Sequence, residues 1–600
     1  MENYNYGIIG NCKSAALISE TGDIVWCCLP SFNSPSVFAS LLDEDKGGHF
    51  KIIVSESYTI SQRYLAKTNI IITEYTNGVD CFEIIDFMPR YKFREEDYYA
   101  PPNLARYIKL KSGEPKFRVD YNPRLEYAKP GMKTDVYLDY IKSYTTEGSY
   151  NSIYMYSNFD NHDIASGEDL TIYKDSYFLI AYDQKLLCQS ADYIYLLLQR
   201  TKTYWLNWSD ATKKYKEFNK EILRSALTLK LLSYEKTGAV LAALTTSLPE
   251  SIGDVRNWDY RFCWIRDTSM IVRVLVELGH MNVTKKFMDF IINIIPRKAE
   301  KMQIMYGIDY EKNLKESILD HLSGYKNSKP VRIGNAAFRQ KQHDIFGILM
   351  DVIYSQFTLF GSSVERSENL WTITKGIVHR VERNWKTTDR GIWELRSNPK
   401  HFTISKILCW VAVDRAIKVA SFLNRYEFIN AWQNLADIIK ADIMKKAWNE
   451  KLGAFTQYYG SENMDASNLL METYGFIDKD DPKFASTVRA TYKELCNNGL
   501  MYRYISEDDF GKPTSSFTIC SFWMVNSLYK IGEKKRARSM FDRLLTYSNH
   551  LGLFGEDIDF KTKRQLGNFP QAYSHLALIQ TAITISKGEA TECESRKNKL

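Results

Sequence analysis

The sequence predicts a β domain followed by an all-α domain: an antiparallel β-sandwich over residues 1–190, a helical linker over 191–217, a closed ring of helices over 218–588 and a disordered tail over 589–600. Three observations carry this expectation. Up to about residue 190, short runs rich in β-branched and aromatic residues are broken by Gly and Asn. Beyond residue 218 the apolar period becomes helical and stays so. The long connections between those helices, 296–343 and 386–403, are polar and aromatic, as expected of binding loops at one end of a rigid scaffold.

In chain order, Ile52-Ile53-Val54, Asn69-Ile70-Ile71-Ile72-Thr73, Cys81-Phe82-Glu83-Ile84-Ile85-Asp86-Phe87 and Tyr177-Phe178-Leu179-Ile180-Ala181-Tyr182 read as strands. A helix carrying aromatics is expected over 193–208. About twelve helices follow by apolar spacing. They include one over 221–246, one over 466–474 and one near Lys483 that Asp481-Pro482 caps and starts. Twelve helices without strands fit either an α-solenoid or a closed ring of six hairpins. The chain has no internal repeat, which favours the ring.

Composition excludes several functions. The net charge of +7 is the difference between 79 basic and 72 acidic residues spread along the chain, with no basic stripe that would track nucleic acid. No run is apolar enough for a membrane span, and the first residues are not a signal peptide, so a cytoplasmic protein is expected. Ten cysteines sit mostly in apolar runs, without zinc-type spacing, and the nine histidines form no helical pair; neither metal nor cofactor is expected. The 40 Tyr, 30 Phe and 12 Trp are compatible with stacking on sugar rings.

Four segments place aromatics beside charges where a core would avoid them: Arg256-Asn257-Trp258-Asp259-Tyr260-Arg261-Phe262-Cys263-Trp264-Ile265-Arg266-Asp267, Gly391-Ile392-Trp393-Glu394-Leu395-Arg396, Tyr502-Arg503-Tyr504, and Gly552-Leu553-Phe554-Gly555-Glu556-Asp557. Hydrolysis of a glycosidic bond needs two carboxyl groups with opposed duties. A sheltered Glu394 beside Trp393 suits the general acid, and a more polar, solvated Glu556 suits the general base. Each motif also has a plain structural reading. Arg266-Asp267 could be an N-cap with a neighbouring surface charge, and Gly555-Glu556-Asp557 a turn.

Several of these stretches, taken in order, resemble glycoside hydrolase family 15, the glucoamylase and trehalase-like enzymes. The match rests on the segment from Asn257 to Asp267, Met305-Tyr306-Gly307, Pro330-Val331-Arg332-Ile333-Gly334-Asn335-Ala336, Trp393-Glu394 and Leu566-Gly567-Asn568-Phe569-Pro570-Gln571-Ala572. Gly22-Asp23-Ile24-Val25-Trp26 is similar to the β domain of the family's bacterial branch. The resemblance implies an (α/α)6 barrel and an inverting, exo-acting hydrolase that uses water and no cofactor. It further implies Glu394 as acid, Glu556 as base, Arg266, Asp267 and Arg503 on the terminal glucose, and Tyr260, Trp264 and Trp393 around it. Short α-linked gluco-oligosaccharides are the expected substrate and trehalose the alternative; a silent sugar-binding protein, and association into a homo-oligomer, are further options. Two departures, Lys512-Pro513-Thr514-Ser515-Ser516 and Arg396-Ser397-Asn398, fall where the leaving group would sit.

Overall fold

A computed structural model describes residues 3–597 except 95, 96, 130, 188, 296–301, 362 and 397, with side chains up to residue 588. The N-terminal part is an antiparallel sandwich. One sheet runs in the order Tyr6–Gly10, Ala15–Ser19, Ile24–Cys28, His49–Ile53, Lys116–Asn122, Leu170–Thr171, with Ser36–Phe38 added beside Ile24–Cys28. The other runs Met132–Val136, Ile141–Thr145, Ser152–Ser157, Ser176–Tyr182, Asn103–Ser112, Cys81–Phe87, Ile71–Thr76, Thr59–Tyr64. Alternation along each strand turns Ile18, Phe50 and Val119 of the first sheet onto Ile84, Ile108 and Phe178 of the second in one apolar cluster. Phe50 meets Phe178 edge-on, with ring centroids 5.3 Å apart.

Among the described residues thirteen α-helices follow the strands or interrupt them. A short α1 (Asn161–Ser166) belongs to the sandwich, and α2 (Ala191–Asp210), capped by the Ser190 side chain, links the two domains. The barrel contains α3 (Asn219–Leu232), α4 (Thr268–Glu277), α5 (Met281–Ile294), α6 (Asp344–Leu359), α7 (Val364–Asn384), α8 (Thr403–Phe422), α9 (Ile429–Lys446), α10 (Pro482–Leu495), α11 (Thr518–Lys530), α12 (Lys534–Leu545) and α13 (Ala572–Lys597). Packing closes an inner ring, α4 on α6, α6 on α8, α8 and α11 on the 3-10 turn Ala466–Leu470, α11 on α13, and α13 back on α4. The remaining helices pack outside it. Inner α8 and α11 are buried on nearly every side, whereas outer α12 buries only the stripe Ala537, Met540, Phe541 and Leu544.

Three expectations are corrected. The helix expected over 221–246 ends at Leu232, and a turn at Gly238 leads into an extended run to Thr246, which bridges Asp259. At Gly238, with φ +85°, a Cβ would lie 2.5 Å from the Lys286 carbonyl, so the tight turn requires glycine. Short apolar runs such as Ala239-Val240-Leu241-Ala242 do not distinguish strand from helix by period. The helix expected over 466–474 is only the 3-10 turn Ala466–Leu470, started by Asp465, whose side chain accepts from Ser467 N. The tail expected from 589 is, through Lys597, the end of α13, while 598–600 lie outside the described residues.

A second apolar core runs from the sandwich into the barrel, joining Leu17 and Trp26 to Leu231 and Leu244. Trp26 Nε1 donates to Leu244 O at 3.2 Å. Among the described residues no helix is long and apolar enough to cross a membrane, and no His, Cys, Asp and Glu group suits a metal ion.

Candidate active site

The segment from Arg256 to Asp267 is fixed from behind. Arg261, 2% exposed, is forked onto Asp259 at 2.9 and 2.8 Å and donates to Ser34 O in the β-sandwich at 3.0 Å. Asp259 also accepts from Gly334 N at 3.1 Å, which ties the 330–335 loop to the same brace. With Arg261 turned inward, Tyr260 and Arg266 reach the end of the barrel where a pocket opens, about 670 Å³ of empty space with its mouth included.

Tyr260, Arg266, Trp393, Glu394 and Arg503 line this pocket, as does Glu250. Trp264, Asp267 and Glu556 stand behind that lining, at 2%, 3% and 1% exposure. Trp264 is therefore no open aromatic wall: its indole Nε1 donates to Glu394 Oε1 at 2.7 Å. Asp267 occupies the N-cap position of α4, but its side chain makes no capping hydrogen bond; its Oδ1 instead accepts from Arg266 Nε at 3.2 Å. Burial pushes the Asp267 carboxyl up to about 6 despite that guanidinium.

Glu394 sits at φ +61°, in the left-handed region that a non-glycine side chain adopts only when its surroundings impose it. The imposition is visible: Gln340 Nε2 donates to Glu394 O at 2.9 Å, and Arg266 Nη1 bonds both Ile392 O at 2.9 Å and Glu394 Oε1 at 3.1 Å. Trp264 Nε1 and Arg266 Nη1 thus converge on Oε1. Neighbouring Trp393 is pinned by two bonds from Nε1 to Asp465, at 2.9 and 3.0 Å.

Glu556 immediately precedes the strand Asp557–Ile558, which forms a three-stranded sheet with Ser516–Phe517 and Gln565–Leu566. Tyr260 donates its hydroxyl to Glu556 Oε1 at 2.6 Å, and Asn568 N donates to Oε2 at 3.1 Å. The expected solvated setting is wrong. Glu556 is buried, and burial followed by the nearby Glu250 charge pushes it up to about 8. Both of its oxygens receive hydrogen bonds, from Tyr260 and Asn568, which oppose that shift without cancelling it. Glu394, the acid of the sequence reading, is the more open of the two, its side chain 20% exposed.

Sequence reasoning missed Glu250, Asp465 and the outer wall. Arg503 Nη2 pairs with Glu250 Oε2 at 2.7 Å. At the mouth, Arg256 forks onto Asp508 at 2.6 and 3.0 Å, and the guanidinium groups of Arg332 and Arg396 each lie 4.5 Å from the Trp258 ring centroid. The only signal for Glu250 was its place in Leu248-Pro249-Glu250, just ahead of the aromatic segment. Lys512 to Ser516 lead into the Ser516–Phe517 strand, with Ser515 Oγ donating to Asp557 Oδ1 at 2.9 Å; Ser397 lies outside the described residues.

Comparison with known proteins agrees with this geometry. The model for glycosyl hydrolases family 15 matches residues 216–583, and a trehalase-like N-terminal model matches residues 4–166. The chain belongs to glycosyl hydrolase family 15, and it is a glycosidase acting on a sugar with water. Over 96% of its length it is 37% identical to a trehalase of Thermoplasma volcanium, covering 92% of that protein. Over 98% it is 35% identical to a trehalase of Mycolicibacterium smegmatis, covering 91% of that one. In structure it is similar to a bacterial glucoamylase complexed with acarbose, at a TM-score of 0.71 and 13% identity, covering 98% of this chain and 94% of the other. That likeness supports the sandwich followed by an (α/α)6 barrel.

Proposed function

We propose that this glycosidase is an inverting trehalase, with Glu394 as general acid and Glu556 as general base. The observation that carries the chemistry is that one braced segment supplies both carboxyl groups with their donors, Trp264 to Glu394 and Tyr260 to Glu556. With glucose seated against Arg266 and Arg503, the Glu394 oxygen not engaged by Trp264 and Arg266 gives its proton to the glycosidic oxygen. Glu556 takes a proton from water attacking the anomeric carbon from the opposite face. The products of trehalose would be one α-glucose, the leaving sugar, and one β-glucose. Asp267 holds Arg266, and Trp393, fixed by Asp465, packs along the pocket.

Trehalose takes precedence over the maltooligosaccharides that the sequence put first because the relatives named trehalase align along nearly the whole chain, β domain included. A pocket whose mouth carries Arg256, Asp508 and Phe510 also suits a short substrate. The test is glucose release from trehalose and from maltotriose at equal concentration, with the anomers followed by proton NMR. Faster turnover of maltotriose would return the glucoamylase reading, and two α-glucose products from trehalose, the outcome of retention, would refute inversion. Glu394→Gln and Glu556→Gln are each expected to lower kcat by about 100-fold or more. A folded variant with near-native turnover would remove that residue from its role.

A further inference from the structure

We propose that Glu250 is a positioning residue for the base, holding Arg503 so that this guanidinium does not pair with Glu556. The inference rests on Glu556 serving as the base. Glu250 and Arg503 pair at 2.7 Å with side chains 5% and 11% exposed, and both line the pocket. The Pro249-Glu250 segment packs against the loop that holds the base. Gly567 N donates to Pro249 O at 2.8 Å, and the next residue, Asn568, supplies the backbone N–H that reaches Glu556 Oε2. No side chain intervenes at Gly567, where a Cβ would lie 2.6 Å from the Glu556 carboxylate.

The charged and titratable groups acting on Glu556 from the packed elements are Tyr260, Arg503, Glu250, its neighbour Asp557 and, from the N-terminal segment, Tyr4. Burial acts most strongly on Glu556, and Arg503 is the cation among these groups, so its pairing tunes how basic Glu556 is. Paired with Glu250, its charge is largely cancelled and the Glu250 carboxylate adds a like charge, which favours the protonated form of Glu556 and makes its conjugate base stronger. Without Glu250, the same guanidinium would face Glu556 and Asp557 unopposed. Glu556 would then be ionised at lower pH and be a weaker proton acceptor, as general-base catalysis scales with basicity.

The experiment is the pH profile of kcat/KM on trehalose for wild type, Glu250→Gln and Glu250→Asp. In Glu250→Gln the acidic limb is expected to move to lower pH by about one unit, with kcat on the plateau reduced about three- to tenfold. Glu250→Asp keeps the charge one methylene further from Arg503 and should move the limb in the same direction by less, which also covers a glutamine variant that does not fold. A limb that stays in place, whatever happens to kcat, or that moves to higher pH, overturns the proposal. Loss of activity through simple disorder would leave the limb where it was. Glu556→Gln separates the two readings: if its residual activity keeps the wild-type acidic limb, the base assignment has failed, independently of Glu250.

Discussion

Tyr260 and Glu556, 296 residues apart in sequence, are joined by a 2.6 Å hydrogen bond from phenol to carboxylate. Four residues after Tyr260, Trp264 makes the equivalent bond to Glu394 at 2.7 Å, and the two rings meet edge-on with centroids 5.2 Å apart. A single contact chain, Glu394 to Trp264 to Tyr260 to Glu556, therefore spans the proposed acid and base.

Tyr260→Phe removes a donor that favours the ionised form of Glu556. Its acidic limb should move to higher pH, opposite to Glu250→Gln, and kcat near neutrality should fall about 10- to 100-fold. The pH profile on trehalose decides this: a limb unchanged in position would mean that the bond does not act on the base.

Trp264→Phe keeps a ring against Tyr260 but deletes the N–H on Glu394 Oε1, leaving Arg266 as the side-chain donor there. The expected result is a loss of about tenfold or more in kcat with KM changed little, because the bond orients the acid and lies behind the pocket wall. A rise in KM with kcat intact would instead make Trp264 a binding residue.

Much of this was legible in the residues. The run of β-branched and aromatic residues marked the strand Cys81–Phe87 to the residue, and Asp481-Pro482 marked the start of α10, where Asp481 accepts from Lys483 N. The aromatic and charged segment around Tyr260 was identifiable because its composition suits neither core nor surface. What failed did so for physical reasons. Periodicity cannot divide an apolar run such as 239–244 from the helix before it. Nor can one sequence tell that Glu556, between Gly555 and Asp557, is folded under Asn568 and buried. Asp465 and Glu250 stand alone in the sequence, and their roles exist only through partners 72 and 253 residues away.

Gly567 has φ +69°, and a methyl there would sit 2.6 Å from both Cβ and Oε2 of Glu556. Gly567→Ala is expected to destabilise the fold by about 1–3 kcal/mol through backbone strain and to lower kcat by displacing the carboxylate. Thermal unfolding and kinetics together test it, and a variant with native Tm and native kcat would show that the loop has slack.

Asp344 opens α6 with its carboxyl buried and no hydrogen-bond partner to either oxygen. Burial first, then the charge of Asp389, pushes it up to about 7, while an unfolded chain releases this proton in the ordinary aspartate range. The sign follows from linkage. Its folded-state pKa is raised, so this group favours the folded state below the unfolded value, and that contribution is lost as pH rises towards 7. Above 7 the fold must carry the buried charge. Asp344→Asn removes that cost, so the variant should be more stable than wild type at pH 8 by roughly 2–4 kcal/mol and show no such gain at pH 4. Asp389, itself pushed up to about 6 mainly by burial, should keep part of the pH dependence in the variant. Urea unfolding at the two pH values measures the difference directly, and an equal effect at both would mean that Asp344 carries no charge in the folded protein at pH 8.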